Sequence, residues 1–139
     1  MILNAVRKYI AACPYIKGGK VNANYLDEKP AKYTIYNNTG DPIIKKYVDG
    51  GTLRQFLFVF AARLPYSENI VENVDSTEFF EKFSGWIESQ NEEGRYPALD
   101  AGLEPCKVEV LSDGYLHDAG ATTAEYQINL RLIYVKNRR

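Results

Sequence analysis

An α+β fold, with a mixed or antiparallel sheet of about five strands and two main helices packed on one face, follows from three features of this 139-residue chain. Two stretches repeat apolar residues at helical spacing, five others are rich in β-branched and aromatic residues, and clusters of Gly, Pro, Asn and Asp punctuate them. Their order is α-β-β-β-α-β-β, and the length suits a single domain over residues 1–139 with one core.

The first element, ILNAVRKYIAAC, sets Ile2, Val6, Tyr9, Ile10 and Cys13 on one helical stripe. Pro14 ends it, because proline lacks an amide hydrogen and its ring clashes with the preceding turn. Gly18-Gly19 and then VNANYL follow as loop or short extended structure. KYTIYNN, residues 32–38, has the composition of a strand. NTGDP, residues 38–42, is turn chemistry, and IIKKYV from Ile43 reads as a second strand. Asp49-Gly50-Gly51 signals a hairpin turn and delivers the chain into GGTLRQFLFVFAARL, residues 50–64.

In that long strand both faces are apolar. Phe56, Phe58, Phe60, Ala62 and Leu64 alternate with Leu53, Leu57, Val59 and Ala61. An antiparallel strand with one wet face alternates apolar with polar residues, so the second face calls for a cover, either a neighbouring subunit or the N-terminal segment.

The second helix is expected to start at Asp75, with Glu78 reaching back to complete a capping box and Val74 packing on Phe79 as a hydrophobic staple. Phe79, Phe83, Trp86 and Ile87 then form one stripe with Phe80 beside it. That stripe reads as core, a lid over the Phe56–Phe60 face, and Gly94 is placed to stop the helix. After a loop with Pro97, Gly102 and Pro105, CKVEVLSDG reads as a strand ending at Asp113-Gly114. TTAEYQINLRLIYV is a final long strand in which Ala124, Tyr126, Ile128, Leu130, Leu132 and Tyr134 alternate with Glu125, Gln127, Asn129 and Arg131. The sequence holds no internal repeat, and the closing KNRR reads as a frayed, solvated tail.

Hydrophobic residues at 45% and charged residues at 25% are ordinary for a soluble globular protein, so composition singles out no function. The net charge of −1 conceals an asymmetry: through Tyr66 there are ten Lys or Arg against four Asp or Glu, and from Ser67 onward seven against fourteen. Either the helical faces of the second half are simply acidic, or complementary surfaces meet between subunits. Cys13 and Cys106 fit neither a metal-ligand spacing nor a disulfide framework and read as reduced thiols. The N-terminus lacks the pattern of a signal peptide and no apolar run approaches the ~20 residues that cross a bilayer, so the chain is expected to be cytoplasmic where it is made, with no membrane partner.

Catalytic chemistry is sparse. His117, the one histidine, stands in DGYLHDAG with Asp113 and Asp118, and a general acid/base pair can be drawn there. The same residues, with Gly114 and Gly120, fit a hairpin connection between two strands better. No Ser or Cys lies in a nucleophile-elbow context, and no His or Cys pair has zinc spacing. Gly18-Gly19 and Gly50-Gly51 lack the flanking pattern of a phosphate loop. No catalytic residue, cofactor or metal is therefore expected. Lys45, Lys46, Arg54 and Arg63 among aromatics could in principle stack and neutralise a single strand, but a pI of about 5.9 is far from that of a dedicated nucleic-acid binder.

The run PIIKKYVDGGTLRQFLFVFAARLPYSENIVENVDSTEFFEKFSGWIESQ resembles small proteins of the head and tail module of long-tailed phages and prophages, the minor capsid or tail terminator proteins. The pieces that carry the resemblance are Tyr47 with Asp49-Gly50, Arg54-Gln55-Phe56, Phe58, Tyr66-Ser67, Asn69, Asn73, Phe79-Phe80, Phe83, Trp86-Ile87 and Gln90. Further on come Pro105, Gly114-Tyr115-Leu116, Ala124, Tyr126-Gln127-Ile128 and Arg131-Leu132. The match runs from about Lys32, and the first thirty residues follow the pattern only loosely. His117 stands where that family more often has an aromatic. The resemblance implies a non-enzymatic virion protein of the tail and neck, assembled in the host bacterial cytoplasm. It implies a homo-oligomeric ring, a hexamer in the usual case, that caps the tail tube, joins it to the head connector, and lets DNA pass through its lumen. Heterologous ring contacts need two different patches on one subunit, and the candidates here are Leu53, Gln55, Leu57, Val59 and Arg63 on the second face with Lys45 and Lys46 beside it. The alternatives are a small cytoplasmic adaptor or immunity-type binding module and, further off, a small enzyme using His117.

Overall fold

Residues 2–16, 21–23, 32–65, 70–119 and 123–137 are described in the computed structural model. Gly18-Gly19, the second half of VNANYL, Gly120 and the terminal Arg138-Arg139 lie outside the described residues. The elements are α1 (Ile2–Ala11), β1 (Asn22–Ala23), β2 (Lys32–Asn37), β3 (Ile43–Lys46), β4 (Thr52–Pro65), α2 (Ile70–Glu92), β5 (Leu103–Val110), β6 (Tyr115–Ala119) and β7 (Thr123–Lys136). The α+β class and the order of the main elements are as expected.

The centre of the sheet is the antiparallel pair β4 and β7, matched over fourteen residues from Thr52 opposite Lys136 to Pro65 opposite Thr123. Their facing side chains are apolar on one side, where Phe58, Phe60, Ala62, Ala124, Ile128, Leu130 and Leu132 are buried in a common core. Both helices cover that side. Leu3, Val6 and Ile10 of α1 and Phe80, Phe83 and Ile87 of α2 join the same core, and Tyr9 meets Trp86 with ring centroids 5.3 Å apart. The Phe83 ring stacks on Phe60 at 4.6 Å. Each such fully buried side chain contributes roughly 1.5–3 kcal/mol, which is what fixes α2 to the sheet. Phe80 is buried more deeply than Phe79, so the stripe centres one residue later than its spacing suggested.

Among the described residues the sheet has seven strands, the five expected and two short additions, β1 and β6. The short β1 adds in parallel to β2, which makes the sheet mixed, and β6 pairs antiparallel with β7. The segment expected to connect two strands as a turn, Asp113 to Asp118, is thus largely a strand itself. Tyr115 and Leu116 stand opposite Gln127 and Tyr126, and the pairing of these large residues outweighs the turn preference of the Asp and Gly around them. NTGDP holds a similar correction. It does not reverse the chain: β2 and β3 both run antiparallel to β4 along one edge, Asn37 opposite Phe58 and Ile43 opposite Arg54. Residues 38–42 are an outward excursion within one interrupted strand, tied down by the Asn38 amide donating to the Leu57 carbonyl (2.9 Å) and the Gln55 amide donating to the Pro42 carbonyl (2.8 Å). On the far edge β5 and β6 repeat the arrangement along β7, interrupted at residues 111–114. Each half of the chain therefore yields a helix, an interrupted edge strand and a fourteen-residue strand, a repetition of topology without a repetition of sequence.

Helix α2 begins at Ile70, so Asp75 lies inside it and its backbone belongs to the helical ladder instead of capping it. At the other end Gly94 behaves as expected. Its φ of 70° is left-handed, its amide donates to the Asn91 carbonyl (3.2 Å), and the Arg95 amide donates to the Gln90 carbonyl (2.8 Å), the paired bonds of a Schellman cap. The β3–β4 turn also forms as read. The Gly50 amide donates to the Tyr47 carbonyl (3.1 Å), the Tyr47 amide to the Gly51 carbonyl (2.9 Å), and Asp49 Oδ1 accepts from the Gly51 amide (2.9 Å). Gly50 takes φ 92°, a conformation costly for any side chain. Strand β5 starts three residues before Cys106, and its register slips between Pro105 and Lys107. An edge position spares Pro105 the missing ladder donor.

Candidate functional site

The face of the sheet away from the helices carries Leu53, Gln55, Leu57, Val59 and Arg63, as period-two alternation requires. Its apolar middle is less open than the sequence suggested. Val59 is only 9% exposed, and Ala61 and Ile133 are also buried. Leu57 lies under the 38–42 excursion: a Cβ built on Gly40 would overlap Leu57 Cδ1. Part of the missing cover is thus the chain's own loop, a possibility the sequence reading did not include. A side chain at Gly40 would have to displace the end of the Leu57 side chain that the loop covers.

Two polar groupings flank this middle. Towards the β3 end, Gln55 Nε2 donates to the Asp41 carbonyl (2.8 Å) while its Oε1 accepts from Arg131 Nη1 (2.9 Å). Arg131 Nε and Nη2 both reach Glu109 Oε2, at 2.8 and 2.7 Å, and Lys107 Nζ lies 2.6 Å from Glu109 Oε1. The hydrogen bond from Lys107 and the Arg131 guanidinium hold the Glu109 carboxyl below its ordinary range, against an opposing push from partial burial. The chain of contacts ties the 38–42 excursion to β4, β7 and β5 in turn. Towards the other end, Glu125 accepts from Gln127 Nε2, lies 3.9 Å from Arg63 Nη2 and 3.9 Å from His117 Nε2, and Tyr115 donates its hydroxyl to Gln127 Oε1 (3.1 Å). Burial, with Glu125 adding and Arg63 opposing, raises the Tyr36 phenol.

Of the seven interface candidates, Leu53, Gln55, Leu57, Val59 and Arg63 share this face, with Val59 buried and Arg63 drawn into the Glu125 grouping. Lys45 and Lys46 are exposed on β3, Lys45 over the Tyr47 ring at 5.7 Å from its centroid. His117 is half exposed beside Glu125 on β6, the strand sequence reasoning took for a turn. The Glu109–Arg131–Gln55 chain was missed as well. Its signal was there: Lys107, Glu109 and Arg131 all alternate with core residues, so once β5 and β7 are neighbours they must share a face. Among the described residues no group of three His, Cys, Asp or Glu is placed to hold a metal ion, and no helix is long and apolar enough to cross a membrane.

Exposed apolar side chains gather elsewhere, at two corners of the sheet. Ile44, Tyr47 and Val48 surround the β3–β4 turn, and Leu111, Tyr115 and Leu116 surround the interruption between β5 and β6. β3 pairs with the beginning of β4 and β6 with the beginning of β7, which puts the two clusters on opposite edges and at opposite ends of the central pair. No protein-family model matches the chain, and no curated protein matches it.

Proposed function

We propose that this protein is a structural subunit of a phage or prophage virion, a tail terminator that caps the tail tube as a homo-oligomeric ring and joins it to the head connector. The observation that carries the reading is the distribution of charge over the fold. The basic front half of the chain supplies β1–β4 and the acidic back half supplies α2 and β5–β7, so the two halves of the fold carry opposite excess charge. Head-to-tail contact between different patches is the requirement for a closed ring, and opposite charge on the two patches favours that contact over like-with-like pairing. The motif resemblance supplies the tail and the connector as partners, and the ring as the route by which DNA passes without base-specific contact.

Electron microscopy of tails assembled without this protein tests the reading. Overlong or headless tails, restored to normal by adding the purified protein, are the expected outcome. Normal joined tails in its absence would refute it. Subunit association should also weaken as salt is raised, since exposed charge pairs are screened.

A further inference from the structure

We infer that the β3–β4 turn of one subunit docks into a groove beside α2 of the next, a contact that rests on the ring reading above and assigns it to particular residues. The groove has a volume of about 590 Å³ and lies between α2 and the 111–114 interruption, with Phe80, Glu81, Gly85, Glu88, Asp113 and Gly114 in its walls. Of these, Phe80 is apolar and Glu81, Glu88 and Asp113 are acidic; Leu116, exposed on the adjoining β6, stands opposite Tyr126, whose ring lies 6.2 Å from Phe80.

The turn has the complementary character. Val48 is fully exposed at its tip, Tyr47 and Ile44 are exposed beside it, and Lys45 and Lys46 are exposed on the strand that leads into it. Exposed cations beside the turn suit a groove lined by three carboxylates. The turn is also preorganised by its two backbone bonds and by Asp49 Oδ1, so little conformational freedom is lost when it docks.

Gly85 is a second, independent sign that the groove receives something. Glycine in the middle of a helix is unfavourable compared with alanine, and within the subunit nothing lies within 4 Å of where its Cβ would be. Packing inside one subunit therefore does not require glycine there, whereas a neighbour's turn lying against the helix backbone would. Because the turn and groove occupy opposite corners, each subunit gives one and receives one, and the contact is heterologous.

Gly85→Leu separates assembly from folding. Filling the groove in a helix-favouring way should leave the thermal midpoint equal or higher, yet weaken self-association, read by sedimentation velocity, by at least about tenfold. The double variant Lys45→Glu/Lys46→Glu should weaken it similarly, and Glu88→Lys with Asp113→Lys in the partner should restore it. In a Cys106→Ser background, Val48→Cys mixed with Ser84→Cys should give a disulfide-linked dimer under mild oxidation. Assembly and tail capping that survive both Gly85→Leu and the charge reversal would overturn the docking while leaving the ring intact. A chain that stays monomeric at every concentration and is inert on tail-tube ends would overturn both.

Discussion

The two faces of the β4–β7 pair are built from the same strands and solve the problem of covering apolar residues in different ways. On the helix side, aromatic rings from α2 press directly onto Phe60, and the core is continuous. On the other side no helix is used. The apolar middle is closed partly by a loop excursion over Leu57 and partly by a chain of charged and amide side chains that runs across four segments. The first face draws its stability from area removed from water; the second draws on contacts between exposed or half-exposed polar groups, each worth little alone.

The comparison is most directly broken at Phe60. Phe60→Ala should destabilise the fold by about 3–5 kcal/mol, the usual cost of emptying a fully buried aromatic site, while Leu57→Ala on the opposite face should cost only about 1 kcal/mol because that side chain is only partly buried. Urea unfolding of both variants measures the ratio, and equal losses would mean that the second face is as much a core as the first.

A smaller effect separates the two interruptions in the edge strands. Gly114 lies against the helix side, where a Cβ would sit 2.7 Å from Phe80 Cβ, and Gly40 lies against Leu57. Gly114→Ala should cost roughly 1–3 kcal/mol through displacement of a packed ring. Gly40→Ala should cost less, because Leu57 can swing towards solvent. Thermal denaturation ranks them, and the reverse order would place the rigid contact on the open face.

The smallest effect is the pH dependence of the polar chain. Glu109 has a lowered folded-state pKa, so its contribution to stability is present above the unfolded value of a glutamate and is lost as pH falls through the folded value. Wild-type stability should accordingly fall on the acid side, and Glu109→Gln should flatten that limb while leaving stability changed by no more than about 1 kcal/mol at neutral pH. Denaturation midpoints measured across the acid range test it, and an unchanged acid limb in the variant would mean that Lys107 and Arg131 do not stabilise the ionised form.

How much of this was legible in the sequence depends on how local the signal was. The α1 stripe, the Asp49-Gly50-Gly51 turn, the Gly94 stop and the burial of Phe83 and Ile87 each rest on residues within a few positions of one another, and all are found in place. The start of α2 was misplaced because Asp75 and Glu78 mimic a capping box inside a longer helix. NTGDP and LSDG carry turn residues, but whether such residues reverse a chain or merely push it outward is decided by the long neighbouring strand, which turn composition does not encode. The cover over Leu57 and the Glu109–Arg131–Gln55 chain join residues 14 to 76 positions apart, and only the strand order brings them together.

The repeated topology also bears on how the chain reaches its fold. Within each half the contacts between an interrupted strand and its long neighbour span a tight connection, whereas the partners in β4 and β7 are separated by 58 residues at one end, Pro65 with Thr123, and by 84 at the other, Thr52 with Lys136. Closing those long loops carries an entropic cost that must be met before the central ladder yields any return. The seam between the halves is therefore expected to be the slow step of folding, and a chain in which it has not closed would leave an aromatic or aliphatic strand edge open to whatever other chain is nearby.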